Sequence, residues 1–201
     1  MKKILLSLTL LLFIVSGNAQ DKMMTIGLGF GAGSVNSSAV NVDDANKNVG
    51  VGFDFYANFL YNINYNISAG IELNSTIAII ALIDDQSAEV TSMMNFLAKG
   101  KYAFGKERRN SGARFFVAGS IGLYGIKPSA VITEDNANLS FTLDRKYSFG
   151  GAPEVGVQFG VFQMALAYHF AGKYEFDNVG KEFKYSMIMF NIGWNIGVGD
   201  K

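Results

Sequence analysis

The segment GLGFGAGSV, close to the start of the chain, has the residue spacing of a dinucleotide-binding fingerprint. It places Gly27, Gly29 and Ala32 where a backbone could approach a pyrophosphate. That chemistry needs a helix directly after the glycines and an acidic residue about 20 positions further on. A loop rich in Ser, Asn and Asp follows instead. We therefore predict no nucleotide site and no cofactor, and we interpret these glycines as small residues of a β-strand.

Histidine chemistry is confined to one position, His169. This side chain could act as a general base, but a nucleophile is missing two residues further on, where Ala171 stands. We therefore interpret His169 as a polar residue of the fold. A chain with one His and no Cys predicts no zinc-type metal site. Four acidic loop residues could bind divalent cations, but we interpret them as solvated charges: Asp43, Asp44, Asp84 and Asp85.

The elements that position these residues are predicted by an alternation of apolar and polar residues with a period of two. In the segment from Val51 to Tyr61 every second residue is apolar, and helical periodicity is almost absent from the chain. Soluble strands average about 5–6 residues, whereas a strand that crosses an outer membrane at a tilt needs about 9–11. The pattern predicts eight long strands, at about 24–32, 49–62, 67–82, 91–104, 113–126, 147–159, 162–170 and 185–198.

The connections between these strands alternate in length. The links at 61–66 and at Gly160–Val161 are short, and those after the first, fifth and seventh strands are long. Short links at every second position are typical of up-and-down barrels with tight periplasmic turns and free outer loops. We predict an all-β, eight-stranded antiparallel barrel. Because an open edge would leave backbone groups unpaired in hydrocarbon, the first and eighth strands are expected to pair.

The composition of the polar face predicts which side of the barrel meets lipid. A solvated surface has about 25–35% charged residues, but the whole chain has 17%. The positions between the apolar residues are mostly small or amide residues, which suit the narrow interior of a small barrel. We therefore expect the apolar face to point to lipid; a soluble sheet or barrel with the opposite orientation is the alternative. Eight strands leave room only for side chains, which predicts a packed lumen without an open pore.

Two groups of side chains follow from this orientation. Six isolated charges on the polar face are expected to form a balanced network in the lumen, since a buried charge is costly unless it is paired: Asp54, Glu72, Lys99, Lys101, Arg114 and Glu154. Aromatic residues near strand ends are expected to form interfacial girdles: Phe59, Tyr61, Phe104, Phe159, Phe162, Phe170 and Tyr185.

The first residues, MKKILLSLTLLLFIVSGNAQ, predict a cleavable signal peptide. Lys2 and Lys3 precede an apolar run from Ile4 to Val15, and Ala19 follows as a small residue at the cleavage position. The run is too short for a spanning helix. We predict a signal peptide at 1–19 and one barrel domain at 20–201. The near-zero formal charge of the chain gives no basic field, so no nucleic-acid partner is expected.

The whole mature chain resembles the small outer-membrane β-barrels of the OmpA and OmpX type. The segment GVQFGVFQMALAYHF is similar to a strand–turn–strand pattern of outer-membrane β-barrel domain proteins that include the PorT-like group. The resemblance implies an envelope role in the bacterial outer membrane, with membrane lipid and the assembly machinery as partners. Members usually end on an aromatic residue, whereas this chain ends NIGWNIGVGDK.

The segment SAVITEDNANLSFTLD predicts a hairpin that extends two strands above the membrane. Ser129–Thr133 and Leu139–Leu143 alternate around a turn signal at Asp135–Asn138. An exposed strand edge there could add a strand from a surface partner protein. We expect a non-enzymatic structural or adhesion-like envelope protein that acts through its outer loops. Small-molecule binding or passage is the first alternative, and a lipid-modifying enzyme that uses His169 is the second.

Overall fold

A computed structural model describes residues 24–40, 48–81, 88–105, 113–134, 137–142, 144–176 and 181–198. The predicted signal peptide lies outside these residues. Among the residues described, no helix is long and apolar enough to cross a membrane. The strands are β1 Met24–Val40, β2 Asn48–Asn62, β3 Ile67–Ala81, β4 Ala88–Ala103, β5 Ala113–Glu134, β6 Ala137–Thr142, β7 Lys146–Phe159, β8 Phe162–Phe176 and β9 Lys181–Val198.

Eight of these strands form a closed antiparallel barrel in up-and-down order. The wall runs β4-β3-β2-β1-β9-β8-β7-β5, and β4 pairs with β5 to close it. β1 pairs with β9 from Met24↔Val198 to Val40↔Glu182, which confirms the predicted pairing of the first and last strands. We call the end with the β2–β3 and β7–β8 connections the turn end and the opposite end the loop end.

The strand register fixes the slant of the barrel wall. A row of register partners that leaves β1 at Ile26 passes through every stave and returns to β1 at Asn36, ten residues nearer the loop end. In a closed barrel such a stagger accompanies a strand tilt of roughly 40°. A tilted strand therefore climbs about 2.5 Å along the barrel axis per residue, rather than the roughly 3.3 Å of its own rise.

Several strands are longer at the loop end than the sequence pattern predicts. β1 continues to Val40 and β8 to Phe176. The outward positions of β1 are apolar as far as Ala32, but Ser34, Asn36 and Ser38 follow. The backbone pairing continues where the hydrophobic alternation stops, so the pattern ends before the strand does.

The predicted hairpin at 129–143 is confirmed. Upper β5 pairs with β6 from Ser129↔Thr142 to Glu134↔Ala137. Lower β5 pairs on the same side with β7, from Ala113↔Phe159 to Ile126↔Lys146. β6 thus continues the line of β7 beyond the closed part of the wall, and the hairpin projects from the loop end.

The orientation of the two strand faces is confirmed. Phe53, Phe55 and Leu166 are half or more exposed on the outside of the barrel, whereas Glu72 and Lys99 are buried inside it. This is the reverse of a soluble protein, in which charged side chains are almost never fully buried and large apolar groups mostly are. All eight strands of the wall expose large apolar side chains on the outside of the barrel. The usual distribution of polar and apolar residues is therefore inverted.

Two glycines on neighbouring strands make room for a large side chain in this narrow interior. Gly29 of β1 and Gly193 of β9 are register partners. A Cβ at either position would collide with the Tyr56 side chain, which lies against this part of the wall. Small residues on one wall therefore allow a tyrosine from another strand to lie across the lumen.

Candidate functional site: the barrel interior

The interior of the barrel is divided into two zones. The half near the turn end is mostly polar, with Leu60 and Phe116 also buried there, and the half near the loop end is filled by an apolar cluster. We call these the polar zone and the apolar plug. The polar zone contains Thr25, Asp54, Tyr56, Asn58, Asn62, Glu72, Asn74, Asn95, Lys99, Lys101, Glu154, Gln163, Asn191 and Asn195. The plug contains Val35, Ala78, Ile80, Met93, Leu97, Tyr124, Ile126, Tyr174, Tyr185, Met187 and Met189.

Lys99 lies at the centre of the polar zone between two carboxylates. Its Nζ is 2.6 Å from an Oε of Glu72 on β3 and 2.6 Å from an Oε of Glu154 on β7. The intervening strand β5 presents only the small Ala118 and Ser120 opposite them, so the lysine can reach across it. The charge-assisted contacts join three staves, and all three side chains are at least nine-tenths buried.

Asp54 of β2 lies in a separate group of hydrogen bonds. Its carboxylate accepts from Asn74 Nδ2 at 2.9 Å and from Thr76 Oγ1 at 3.2 Å. Asn95 Nδ2 in turn donates to Asn74 Oδ1 at 3.0 Å. Strands β2, β3 and β4 are thus connected by polar side chains in the lumen. No direct ion pair joins Asp54 to a lysine in the described part of the chain, so the carboxylate is held by neutral donors.

Lys101 is surrounded by amides and an aromatic ring. Its Nζ donates to Gln158 Oε1 and Gln163 Oε1, both at 3.1 Å, and lies 3.9 Å from the centroid of the Phe116 ring. Asn195 Nδ2 also donates to Gln163 Oε1, at 2.6 Å. The lysine is therefore satisfied by carbonyl groups and a cation–π contact, and it connects β4 with β7 and β8.

Arg114 is apart from the other five predicted lumen charges. Its guanidinium lies at the turn end and donates to three backbone carbonyls: Tyr65 O at 3.1 Å, Ala103 O at 3.3 Å and Phe104 O at 3.3 Å. The expectation that it would balance an acidic residue in the lumen is therefore corrected. Arg114 is the second residue of β5, and the strand end places its long side chain at the barrel mouth, where turn carbonyls need donors.

Replacement of Arg114 by methionine is expected to loosen the turn end without unfolding the barrel. Three carbonyls would lose a charged donor at a partly solvated site, which we expect to cost about 1 kcal/mol. Urea unfolding of the refolded protein measures that change, and hydrogen exchange would show faster exchange at 63–66 and 103–105. The matched control is Lys127→Met on the same strand, which is expected to change neither. An unchanged exchange rate in the Arg114 variant would contradict the assignment.

The apolar plug was not predicted from the sequence. Ile80, Met93, Leu97 and Met189 all point inward and are essentially inaccessible to solvent. The available signal is that the segments TIAIIA and SMIMF are apolar on both faces of their strands, as in strands buried on both sides. The expectation of a lumen lined by small and polar residues therefore fits most of the turn-end half, apart from Leu60 and Phe116, and is wrong for the loop-end half.

His169 lies against the apolar plug. Its Nδ1 is 3.2 Å from the Tyr124 hydroxyl, and the two rings meet edge to face. Tyr174 donates its hydroxyl to the backbone carbonyl of Tyr124 at 3.2 Å. The imidazole is 2% exposed, so it lies inside the barrel and does not reach the outer surface.

Most of the predicted girdle residues lie on the outside of the barrel. Phe59, Phe104, Phe159 and Phe170 are exposed there, and Tyr61 and Phe162 are half-buried. Tyr185 differs: it is 4% exposed and packs edge to face on Tyr174 at a centroid distance of 5.9 Å. Its placement in the girdle is therefore corrected, because Tyr185 lies on the inward face of β9 with Met187 and Met189.

The interior offers little space for a ligand. A polar cavity of about 30 Å³ lies at the turn end, next to Asn62, Ser68 and Lys101, which is room for about two water molecules. Among the described side chains, no group of His, Cys, Asp or Glu is arranged to hold a metal ion. The polar zone can therefore hold fixed charges and a few waters, and the apolar plug closes the path to the loop end.

No protein-family model and no curated protein matches this chain. It is similar in structure to small eight-stranded outer-membrane β-barrels. Ail, the attachment invasion locus protein of Yersinia pestis, is 14% identical (85% of this chain, 98% of Ail, TM-score 0.43). Neisserial surface protein A is 12% identical (85% and 96%, TM-score 0.46). The outer membrane protein OprG from Pseudomonas aeruginosa is 14% identical (87% and 95%, TM-score 0.42).

Proposed function

We propose that this chain is a non-enzymatic protein of the bacterial outer membrane, whose barrel anchors it in lipid and whose loop end contacts a partner protein. The observation that carries the proposal is the inverted distribution of polarity in a closed barrel. The interior holds paired charges and a packed plug, and the exterior holds the large apolar side chains. Export by the segment 1–19 and insertion by the outer-membrane assembly machinery are parts of the same proposal.

The dimensions of the apolar exterior support insertion. On β1 the outward residues from Met24 to Ala32 are apolar, and on β8 so are those from Phe162 to Phe170. Nine residues at about 2.5 Å each span roughly 22 Å, close to the apolar band of about 25 Å in outer-membrane barrels. Closure also leaves no unpaired strand edge at this depth, which hydrocarbon requires.

The filled interior favours an anchor over a passage for solutes. A continuous path would have to cross the plug, where Tyr124, Tyr174 and Met189 are almost completely buried. The contacts of Lys99 cross the polar zone at a second level. Small-molecule passage is the alternative function. It would require both the apolar plug and the contacts of Lys99 to open.

The β5–β6 hairpin is the part of the loop end that we propose for partner contact. In the described structure β6 pairs with β5 and with no other strand. Its sequence, ANLSFT, contains no charged residue and no proline, which are the usual means of blocking an exposed edge. Such an edge can pair with an extended segment of another protein.

The protein folded in a planar bilayer is expected to show no stepwise conductance. The physical reason is the plug, whose side chains are almost completely buried inside the barrel. The control is the same preparation on unheated gels, where a shift in mobility on boiling shows that the barrel was folded. Steady conductance steps from heat-modifiable protein would favour the passage function instead.

The contact proposal is tested with cells that display the chain on their surface. We would compare adhesion of cells carrying the full chain with that of cells in which residues 130–141 are replaced by a short Gly-Ser turn. Membrane fractionation and heat modifiability would establish equal amounts of folded barrel. Adhesion that is lost with the hairpin supports the proposal, and equal adhesion of both cell types contradicts it.

A further inference from the structure

The apolar exterior of the barrel is not equally tall on all sides. On β1 and β8 the outward apolar residues span nine positions, and Ser34 and Lys173 come beyond them. On β5 they span eleven positions, from Ala113 to Leu123, and Lys127 is the next outward residue after Gly125. On β2 and β3 the outward apolar residues extend over thirteen positions, up to Val49 and Ile79, with Ser75 among them on β3. The outward face of β7 also has no polar residue over thirteen positions, from Tyr147 to Phe159. At about 2.5 Å per residue the difference between nine and thirteen positions is roughly 10 Å.

One row of register partners shows the boundary directly. Val51 on β2, Ile79 on β3 and Val90 on β4 are consecutive partners, and the row ends on Ser34 of β1 on one side and Ser129 of β5 on the other. The three central residues are 57%, 46% and 39% exposed. An outward apolar area three strands wide is therefore bordered by polar residues of the same row. We call this area the β2–β4 patch; it consists of Val49, Val51, Ile79 and Val90.

The slant of the wall places this patch higher than its polar neighbour on β1. Because a row climbs ten residues in one circuit of eight staves, each step from β1 towards β4 rises about 3 Å towards the loop end. Val90, three steps from Ser34, thus lies about 9 Å nearer the loop end. A membrane boundary level with Ser34 would leave the whole patch in water.

The composition and position of the patch favour acyl chains as its occupant. On β2 the patch is continuous with the outward residues Phe53 and Phe55, which we propose to face lipid. On β4 the outward Ser92 lies between Val90 and Met94. Its side chains are aliphatic and β-branched, whereas the contact points of protein interfaces are enriched in aromatic residues and Arg. A hydrophobic wall that exceeds the bilayer thickness is accommodated by local thickening of the bilayer.

We propose that lipid acyl chains cover the β2–β4 patch, so that the barrel has an uneven hydrophobic belt that is taller on β2–β4 than on β1 and β8. This inference rests on the proposed insertion into the outer membrane. It assigns the upper β2–β4 wall to a lipid contact, and it leaves the β5–β6 hairpin, on the adjoining wall, as the part that projects into water.

Single cysteines can test the belt, since the chain contains no Cys. Leu28→Cys marks the middle of the proposed belt, Val51→Cys and Val90→Cys mark the patch, and Ser34→Cys is the register partner of Val51. Each variant would be folded into vesicles of dimyristoyl or dioleoyl phosphatidylcholine and treated with a membrane-impermeant maleimide. All four positions face outward, and a gel shift on boiling selects folded protein.

We expect Ser34→Cys to react in both lipids and Val51→Cys and Val90→Cys to react roughly tenfold more slowly, because the reagent stays in water and hydrocarbon excludes it. The protection should be greater in the thicker dioleoyl bilayer. If Leu28→Cys is protected but Val51→Cys reacts as fast as Ser34→Cys, the uneven belt is wrong and insertion stands. If Leu28→Cys also reacts fast, the uneven belt and the proposed insertion into the membrane are both wrong. Protection that falls on dilution of the protein in lipid would identify a second copy as the occupant, against the proposal.

Discussion

Replacement of Lys99 by methionine is expected to destabilise the barrel by about 3–5 kcal/mol, the usual cost of removing one partner from a buried ion pair. The substitution leaves Glu72 and Glu154 facing each other's charge in a site that is less than one-tenth exposed to solvent. In the unmodified protein both carboxylates contact the Lys99 ammonium, each at 2.6 Å. The loss should appear as a large decrease in the urea midpoint of the refolded protein, followed by the fluorescence of its single tryptophan, Trp194.

The controls separate the charge effect from the loss of packing. The triple variant Glu72→Gln, Lys99→Met, Glu154→Gln removes all three charges and should recover most of the stability, since a buried pair contributes little compared with neutral groups of similar size. Lys184→Met removes an exposed lysine of β9 and should change nothing. If Lys99→Met alone unfolds at the same urea concentration as the unmodified protein, the carboxylates do not depend on Lys99 and the described network is wrong.

The second large effect is expected from a charge placed on the outside of the barrel. Leu28 is the third of the five outward apolar residues of β1 and is 50% exposed. If that face meets lipid, Leu28→Arg should reduce the stability of the folded, inserted state by about 2–4 kcal/mol, the cost of an arginine near the bilayer midplane. The fraction that retains folded mobility on unheated gels, measured against urea in lipid vesicles, reports the change.

The same substitution also decides between lipid and water as the surroundings of the barrel. If the exterior were solvated, an arginine at this half-exposed position would be nearly neutral for stability and would improve solubility. The control is Ser34→Arg, on the same face of the same strand but beyond the apolar run, where the cost should be close to zero. Equal stability of the two arginine variants would contradict insertion.

The alternation of residues along each strand predicted much of the fold because each strand is apolar on one face and polar on the other. A period of two assigns Phe53 and Asp54 to opposite faces without any knowledge of partners. The composition of the polar face then indicated which face is inside. The extensions at the loop end were missed because Ser34 and Asn36 end the apolar pattern while their backbones still pair with β9.

The partners inside the lumen could not be predicted in the same way. Lys99 and Glu154 are 55 positions apart in the chain, and they meet only because the register sets both opposite the small residues of β5. Arg114 has the same alternation as the other charges, but its place at the end of β5 gives it turn carbonyls instead of a carboxylate. Tyr185 was misplaced because its position near a strand end was given more weight than the alternation, which sets it on the same face as the buried Met187 and Met189.

The sequence by itself determined that the chain folds into long antiparallel strands, that one face of each is strongly apolar, and that the charges share the other face. These are local properties, and a period of two is sufficient to express them. Only the tertiary structure decided the stagger of ten residues, the division of the lumen into a polar zone and an apolar plug, and the height of the exterior wall on each side. These features depend on the register between neighbouring strands. That register is fixed when the whole barrel closes, and it cannot be read from any single strand.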